Sequence, residues 1–300
     1  MSYSYRLADA HCHVHLDANA FTGLRERHAI KLGAMSVGGD WQDVTRLFSA
    51  HPLRIVRNFG IHPWSSHRYG INKGDTLRTI LSAKSLDLAD IPGLDDELDT
   101  SWKDELRDQI RCNPDACIGE CGLDRAATIR EEVIRGKAMV SIEHQTKIVA
   151  YHLSLGCEFQ RPVSLHCVQA TGHMEALLRS LPHPPPAIML HSFSGSVESI
   201  KSFTTIPVLG SRIFFSFSST INKKQKNEKQ QFKVLERIKS VADNRVLIES
   251  DQDNIGLIDD ALNEALKLVS EAKQWSLEEA SERCLGNFQA YYNIRQNILS

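Results

Sequence analysis

Short runs of apolar residues alternate along this chain with longer segments in which apolar residues recur every three or four positions. The short runs, bounded by polar residues, predict buried strands. The longer segments predict helices, and Trp41–Ala50 is the clearest of them, because its apolar side chains share one helical face. The predicted strands are 6–11, 29–37, 54–61, 117–119, 163–165, 188–190, 213–217 and 246–248. The predicted helices are 18–27, 41–50, 102–111, 131–155, 172–181, 222–241, 257–273 and 277–295.

Strand and helix alternate from one end of the sequence to the other, which is typical of parallel strand–helix–strand units. Eight such units in 300 residues predict an α/β fold, a single (β/α)8 TIM barrel that spans residues 1–300. No linker, repeat or low-complexity segment divides the chain. The three prolines at 184–186 form too short a run to be a domain linker.

Composition narrows the class of partner and the compartment. The net charge is -2 and the pI is about 6.7, which excludes binding of nucleic acid by bulk positive charge. Seven scattered cysteines, an odd number, indicate free thiols in a reducing compartment. No segment is apolar enough to span a bilayer, so no membrane association is expected. The cytoplasm is the predicted location, with the nucleus as the second choice.

Two histidines occupy alternate positions at the end of the first predicted strand. His11 and His13 therefore point to the same face, about 7 Å apart along the strand, and can converge on one metal ion. Metal-type ligands recur at the ends of other predicted strands. These are His62, Glu120, His166, His191 and Asp251. Because the carboxyl ends of barrel strands meet at one face, all seven side chains are predicted to lie together there.

Each of these residues also has an ordinary structural explanation. His191 is explained as a helix cap, Glu120 as an acceptor for a backbone amide, and Asp251 as the N-cap of the next helix. Their joint occurrence at successive strand ends favours a metal site. Several histidines with two carboxylates suit two divalent ions, with Zn, Mn and Mg as candidates. Such a pair clamps a phosphate and lowers the pKa of a bridging water.

The two carboxylates are assigned distinct roles at this site. Glu120 lies near the middle of the set and is the candidate bridge between the ions. Asp251 holds a metal, orients the attacking water, or does both. Together with His62, these carboxylates are the predicted catalytic residues.

The order of these motifs along the chain resembles that of the TatD family of metal-dependent deoxyribonucleases. The motifs are Asp9-Ala-His-Cys-His13, Gly60-Ile-His-Pro63, Gly119-Glu-Cys-Gly-Leu-Asp124, His166, His191-Ser-Phe-Ser-Gly195, Glu249-Ser-Asp251 and Cys284-Leu-Gly-Asn-Phe288. The resemblance implies a TIM barrel of the amidohydrolase-like superfamily with two divalent ions. It implies one ion held by His11, His13, Glu120 and Asp251, and a second held by Glu120, His166 and His191. His62 is similar to the family's histidine near the scissile phosphate.

The sequence also departs from that family's usual pattern. The family's Arg after the strand-five histidine is missing from His166-Cys-Val-Gln169, and Pro is missing after Asp251. The acidic run 87–99 is predicted to lie at the catalytic face and to repel a polyanion. Some TatD-like fungal proteins with such features are described mainly as partners of other proteins. Arg125 or a lysine-rich stretch is expected to supply the missing positive charge. The first interpretation of that stretch, however, is a solvated helix face. Its lysines are Lys223, Lys224, Lys226, Lys229 and Lys233.

Three functions remain open at this point. The first is a metal-dependent hydrolase that cleaves phosphodiester bonds, a deoxyribonuclease acting on DNA ends or single strands through a two-metal-activated water. The second is an ester or amide hydrolase, such as an aminoacyl-tRNA deacylase. The third is an interaction module with weak or lost activity. The expected substrate is nucleic acid or a small phosphorylated or acylated nucleotide; a protein partner and the oligomeric state stay open.

Overall fold

Eight parallel strands follow one another around a barrel in the order in which they occur along the chain. The computed structural model describes residues 5–82, 93–129, 138–223 and 228–293. Within this part each strand pairs with the next in parallel register, which confirms the predicted (β/α)8 barrel. The strands are β1 (Leu7–Cys12), β2 (Ala29–Met35), β3 (Ile55–Phe59), β4 (Cys117–Asp124), β5 (Val163–Val168), β6 (Ile188–Leu190), β7 (Ile213–Ser218) and β8 (Val246–Glu249).

Helices surround the barrel, and five of the eight predicted helices lie within a few residues of their predicted positions. They are α1 (Ala20–Gly23), α2 (Trp41–Ala50), α3 (Leu77–Ile80), α4 (Trp102–Cys112), α5 (Ile142–Glu158), α6 (Thr171–Arg179), α7 (Val197–Thr204), α8 (Glu228–Ser240), α9 (Ile258–Lys273) and α10 (Leu277–Tyr292). None of the helices in the described ranges is both long and apolar enough to cross a membrane.

Three predicted helices differ from the structure. The segment predicted as helix 18–27 holds only the one-turn α1 and a short 3-10 turn, because few apolar side chains are available to anchor a longer helix. The predicted helix 131–155 begins at Ile142, where the Ser141 side chain caps it by accepting the His144 N–H. The helix predicted from 222 begins at Glu228. Residues 130–137 and 224–227 lie outside the described residues.

The last strand returns to the first, and a buried carboxylate joins them. The backbone N–H of Asp251 donates to the His11 carbonyl at 3.0 Å. Asp9, on β1, accepts the backbone N–H of Ser250 at 2.9 Å and the Ser250 hydroxyl at 2.5 Å. These bonds hold the loop after β8 against the end of β1, and they bring Asp251 beside the two histidines of β1.

The C-terminal helix closes the amino end of the barrel. The Tyr292 hydroxyl enters between the strands and donates to the Ala10 carbonyl at 2.8 Å. A β-carbon at Gly33 would lie 2.1 Å from that hydroxyl oxygen, so a larger residue at this position of β2 would displace the helix. Phe288 and Tyr291, also fully buried, fill the space beside it. The opposite, carboxyl end of the barrel is where the polar candidates gather.

Candidate metal centre

All seven side chains that the sequence singled out meet at the carboxyl end of the barrel, and five of them are arranged around one carboxylate. Glu120 lies inside β4, three positions into the strand, so the prediction that β4 ends before it was wrong. Its side chain is buried in the barrel interior, where the surrounding histidines compensate for the polar group. The preceding Gly119 has a φ of +141°, and a β-carbon there would lie 2.8 Å from Ser164, so glycine is needed for this approach.

The two oxygens of the Glu120 carboxylate face different groups of ligands. Oε2 lies 3.2 Å from Nε2 of His11 and 3.2 Å from Nε2 of His13. Asp251 completes this side, with Oδ1 3.9 Å from the His11 nitrogen and 3.8 Å from the His13 nitrogen. This half of the centre therefore contains two imidazoles and one further carboxylate.

The other carboxylate oxygen faces a second set of histidines. Oε1 lies 2.6 Å from Nε2 of His191, 2.8 Å from Nδ1 of His166 and 3.2 Å from Nε2 of His62. The rings of His11 and His191 stack, with centroids 3.9 Å apart, so the two halves are in direct contact. A single carboxylate thus separates two groups of nitrogen donors.

Hydrogen bonds on the outer side of the β1 histidines orient both rings and, for His13, determine which nitrogen carries the proton. Nδ1 of His13 lies 3.0 Å from the Met35 carbonyl, which can only accept, so the neutral ring carries its proton on Nδ1. Nδ1 of His11 lies 3.1 Å from the Ser164 hydroxyl. His13 therefore presents the lone pair of its inner Nε2 to Glu120, and His11 does the same when its Nδ1–H donates to Ser164, as metal ligands must.

Two carboxylates lie on the outer side of the histidines in the other half of the centre. Nε2 of His166 lies 3.2 Å from Oδ2 of Asp124 and donates its proton there, which leaves Nδ1 as the inner ligand atom. Asp124 is itself held by the indole N–H of Trp64 at 3.0 Å. Nδ1 of His191 lies 3.5 Å from Oε1 of Glu249, at the limit of a hydrogen bond.

His62 has the opposite arrangement. Its Nδ1 accepts the backbone N–H of Trp64 at 3.0 Å, so the neutral ring must carry its proton on Nε2, the atom that faces Glu120. Burial lowers the pKa of His62 to about 4, which keeps the ring neutral. His62 therefore presents a hydrogen-bond donor to the centre, whereas the other four histidines can present lone pairs.

The electrostatics of the centre fit divalent cations. Burial raises the pKa of Glu120, but the surrounding histidines outweigh burial and lower it well below its ordinary value, so this carboxylate is charged; His191, whose own pKa is raised well above its ordinary value, is among them. The Nε2 atoms of His11 and His13 are only 3.3 Å apart. Lone pairs that converge on one another and on a carboxylate oxygen repel, and a cation between them removes that repulsion.

Sequence reasoning gave no role to three residues that support the centre. Asp124 orients His166, Glu249 lies 3.5 Å from Nδ1 of His191, and Ser164 contacts His11. Asp124 and Glu249 stand in the same motifs as Glu120 and Asp251, so the motifs contained a signal, but nothing in spacing distinguishes a supporting carboxylate from a ligand. Ser164 carries no sequence signal beyond its position on β5, two residues before His166.

A cavity of about 670 Å³ opens onto the centre. Its wall includes exposed apolar side chains such as Leu16 and Ile221, together with Trp64 and Val168. Among the described residues that line it, none is a lysine or an arginine, and Asp253 adds negative charge. Within the described part of the wall, positive charge facing a phosphate would come from bound metal or from protonated histidines.

Known proteins resemble this chain in sequence and in fold. A family model described as TatD related DNase matches residues 8–293. The Cut9-interacting protein scn1 of Schizosaccharomyces pombe is 28% identical, over 96% of this chain and 99% of its own length. The uncharacterized deoxyribonuclease YMR262W of Saccharomyces cerevisiae is 26% identical, over 95% of this chain and 99% of its own. The crystal structure of a TatD homologue from Escherichia coli, YjjV, superposes with a TM-score of 0.65 at 14% identity, covering 96% of this chain and 98% of that one.

Proposed function

The chain belongs to the family of TatD-related deoxyribonucleases, and from that premise we propose that it hydrolyses phosphodiester bonds at a centre of two divalent ions. The proposal rests on one observation: the two carboxylate oxygens of Glu120 face separate groups of histidine nitrogens. The test is a screen of phosphodiester, carboxylester and amide substrates with the purified chain, with and without added metal. Metal-dependent cleavage of the phosphodiester substrate alone supports the proposal, and cleavage of only an ester or amide substrate contradicts it.

Each ion is assigned to one side of the bridging carboxylate. His11, His13 and Asp251 would hold the first ion with Oε2, and His166 and His191 would hold the second with Oε1. Bound there, the ions supply charge that grips a phosphate and acidifies a water. Imidazole-rich donors favour Zn or Mn over Mg. Asp251 reaches the cavity and is placed to orient the attacking water.

His62 is proposed to act on substrate and not as a ligand, because it presents Nε2–H to the centre. Replacing it with alanine should remove a donor to the phosphate in the transition state and reduce turnover by about a hundredfold. Metal content should stay at two equivalents per chain. Turnover and elemental analysis measure the two effects, with His183→Ala, an exposed histidine, as the control. Loss of one metal equivalent from His62→Ala would show that His62 is a ligand.

Asp124 is proposed to orient His166 for binding one ion. In Asp124→Asn the amide can present its NH₂ group to Nε2 of His166 and favour the wrong tautomer, so the affinity for one of the two ions should fall by about 10- to 100-fold. Titration against a chelator of known affinity measures the change, and excess metal should restore turnover. Asp108→Asn, at an exposed position of α4, is the matched control. Equal affinities in the two variants would exclude this role.

The described part of the acidic run lies away from the cavity. Asp95 pairs with Arg78, Glu97 accepts the backbone N–H of Gly74 at 3.0 Å, and Asp99 accepts that of Ser101 at 2.8 Å. None of these acids lines the cavity, and residues 87–92 lie outside the described residues. Of the candidate compensating cations, Arg125 is exposed and does not line the cavity either. Lys224 and Lys226 lie outside the described residues, and Lys233 is exposed on α8.

The cavity wall supports a preference for short or single-stranded substrate. A long duplex is gripped through several cationic phosphate contacts, and the described wall offers none. We expect weak binding of long duplex DNA, and preferential cleavage of single strands, ends or small phosphorylated or acylated nucleotides. Affinity and cleavage across these substrates at low and moderate salt measure the preference. Tight duplex binding whose affinity falls steeply with salt would contradict it.

Interaction with a protein partner is the second candidate function, because a relative that matches almost the full length of this chain is named for an interaction with Cut9. The complete donor set argues for retained activity in this chain. We place the protein in the cytoplasm or nucleus, which accords with its seven free cysteines. A barrel that binds a partner but shows no metal-dependent cleavage of any substrate in the screen would favour the interaction module.

A further inference from the structure

A second cavity, of about 350 Å³, opens at the opposite, amino end of the barrel. Its wall is formed where β2, β3 and β4 begin, by Lys31, Ile55 and Cys117, with Pro162 just before β5. It shares no residue with the metal centre. Its size falls within the range of small-molecule sites, which is about 300–1,000 Å³.

The side chain of Lys31 is buried in this wall without a counter-charge of its own. The residue is only 5% exposed. Its ammonium group forms no ion pair among the described residues and reaches the surface of the cavity. Burial lowers the pKa of Lys31, and the opposing effect of Asp115 is the smaller one. Partial burial of an ammonium without a counter-charge of its own is unfavourable, so an anionic group in the cavity would relieve that cost.

Asp115 is already engaged by another cation. Its carboxylate forms an ion pair with Arg57, whose guanidinium also donates to the Asn113 side chain at 2.6 Å. Arg161 lines the same cavity, and its buried Nε has no hydrogen-bond partner in the structure. Lys31 and Arg161, the second with an unsatisfied buried Nε, thus meet one cavity, and the carboxylate of Asp115 is neutralised by a third cation, Arg57.

We propose that this cavity binds a small organic anion. Its phosphate or carboxylate group lies between Lys31 and Arg161, and its apolar body packs against Phe48 and Pro52. Because the site is at the end of the barrel remote from the metal centre, its occupant regulates or stabilises the protein and takes no part in hydrolysis.

The test uses the full-length, metal-loaded chain after dialysis into buffer free of phosphate. Lys31→Met keeps the length of the side chain and removes the buried charge, so this variant should melt at a higher temperature than the parent protein. Inorganic phosphate, or benzoate in a second arm, should raise the Tm of the parent protein at constant ionic strength. The difference in Tm between the parent protein and Lys31→Met should then disappear. Lys201→Met, at an exposed position of α7, should behave as the parent protein does. The arm with the larger shift identifies the anionic group.

Phosphate that binds at the metal centre would raise the Tm of the parent protein and of Lys31→Met by the same amount. If phosphate and benzoate each raise the Tm of the two proteins equally, the proposal is overturned. A lower Tm for Lys31→Met in every buffer would also overturn it, by showing that the ammonium has a partner within the chain. A rise in Tm with anion that occurs only after removal of residues 294–300 would show that the chain fills its own cavity, and would also overturn the proposal.

Arg161→Gln, at a half-buried position, should require at least tenfold more anion for the same rise in Tm, and an unchanged rise would contradict the assignment. Hydrolysis should be unaffected in both variants.

Discussion

Glu120→Gln should abolish hydrolysis while leaving the barrel folded. The amide has the shape of the carboxylate but lacks the charge that faces both groups of histidines, and its NH₂ group cannot serve as a ligand. Changes to residues that only support a ligand cost about 10- to 100-fold, so loss of the shared ligand should cost more than about a hundredfold in turnover. Turnover at saturating metal is the measurement, with circular dichroism to establish that the fold is retained.

The control for this variant is Glu143→Gln, an exposed position in the first turn of α5. It also converts a glutamate to glutamine but should retain full activity. Glu120→Gln should bind fewer than two ions per chain, because the bridge is lost from both sides. Turnover equal to that of the parent protein under saturating metal would eliminate the bridging role.

Removal of metal by a chelator should have a comparably large effect on activity and a separate effect on stability. At an ion concentration about a thousand times the dissociation constant, binding contributes about 4 kcal/mol to the free energy of unfolding. For a chain of this size, loss of that contribution should lower the Tm by about 6 °C. Activity should fall to background, because no lysine or arginine among the described cavity residues can replace the ions.

Adding metal back to the treated protein distinguishes loss of the ions from damage by the chelator. Excess Zn or Mn added to the treated protein should return both turnover and Tm, while Glu120→Gln should show a smaller loss of Tm on chelation. Full activity in protein that elemental analysis shows to be free of metal would contradict the proposal. Activity restored by Mg alone would instead change the assignment of the metal.

The barrel could be predicted from the sequence because each strand is a short apolar run that ends at a polar motif. The barrel and the hydrolase class of the TatD-related family are confirmed. Strand β4 was predicted too short because Glu120 is polar, and a polar residue inside a strand marks its end unless other polar groups compensate for burial. Those groups, His191 and His166 above all, come from strands far away in the sequence.

The motifs identified the candidate ligands, but they did not show which histidine would bind metal and which would contact substrate. His62 and His166 each follow a predicted strand, although β5 in fact continues past His166, and their outer hydrogen bonds differ: one ring accepts a backbone N–H and the other donates to Asp124. Such bonds depend on loop geometry after β3 and β4, which spacing does not encode. The cavity at the amino end was missed for a similar reason, since Lys31 is part of an otherwise apolar strand.

The most direct test of the account is an anomalous-scattering map of crystals grown with Zn or Mn. We predict two peaks, one on each side of the Glu120 carboxylate, the first beside His11, His13 and Asp251 and the second beside His166 and His191. Each peak should lie about 2 Å from its nitrogen ligands, with Nε2 of His62 outside that distance. A single peak, peaks remote from Glu120, or no peak in metal-loaded crystals would contradict the two-ion centre.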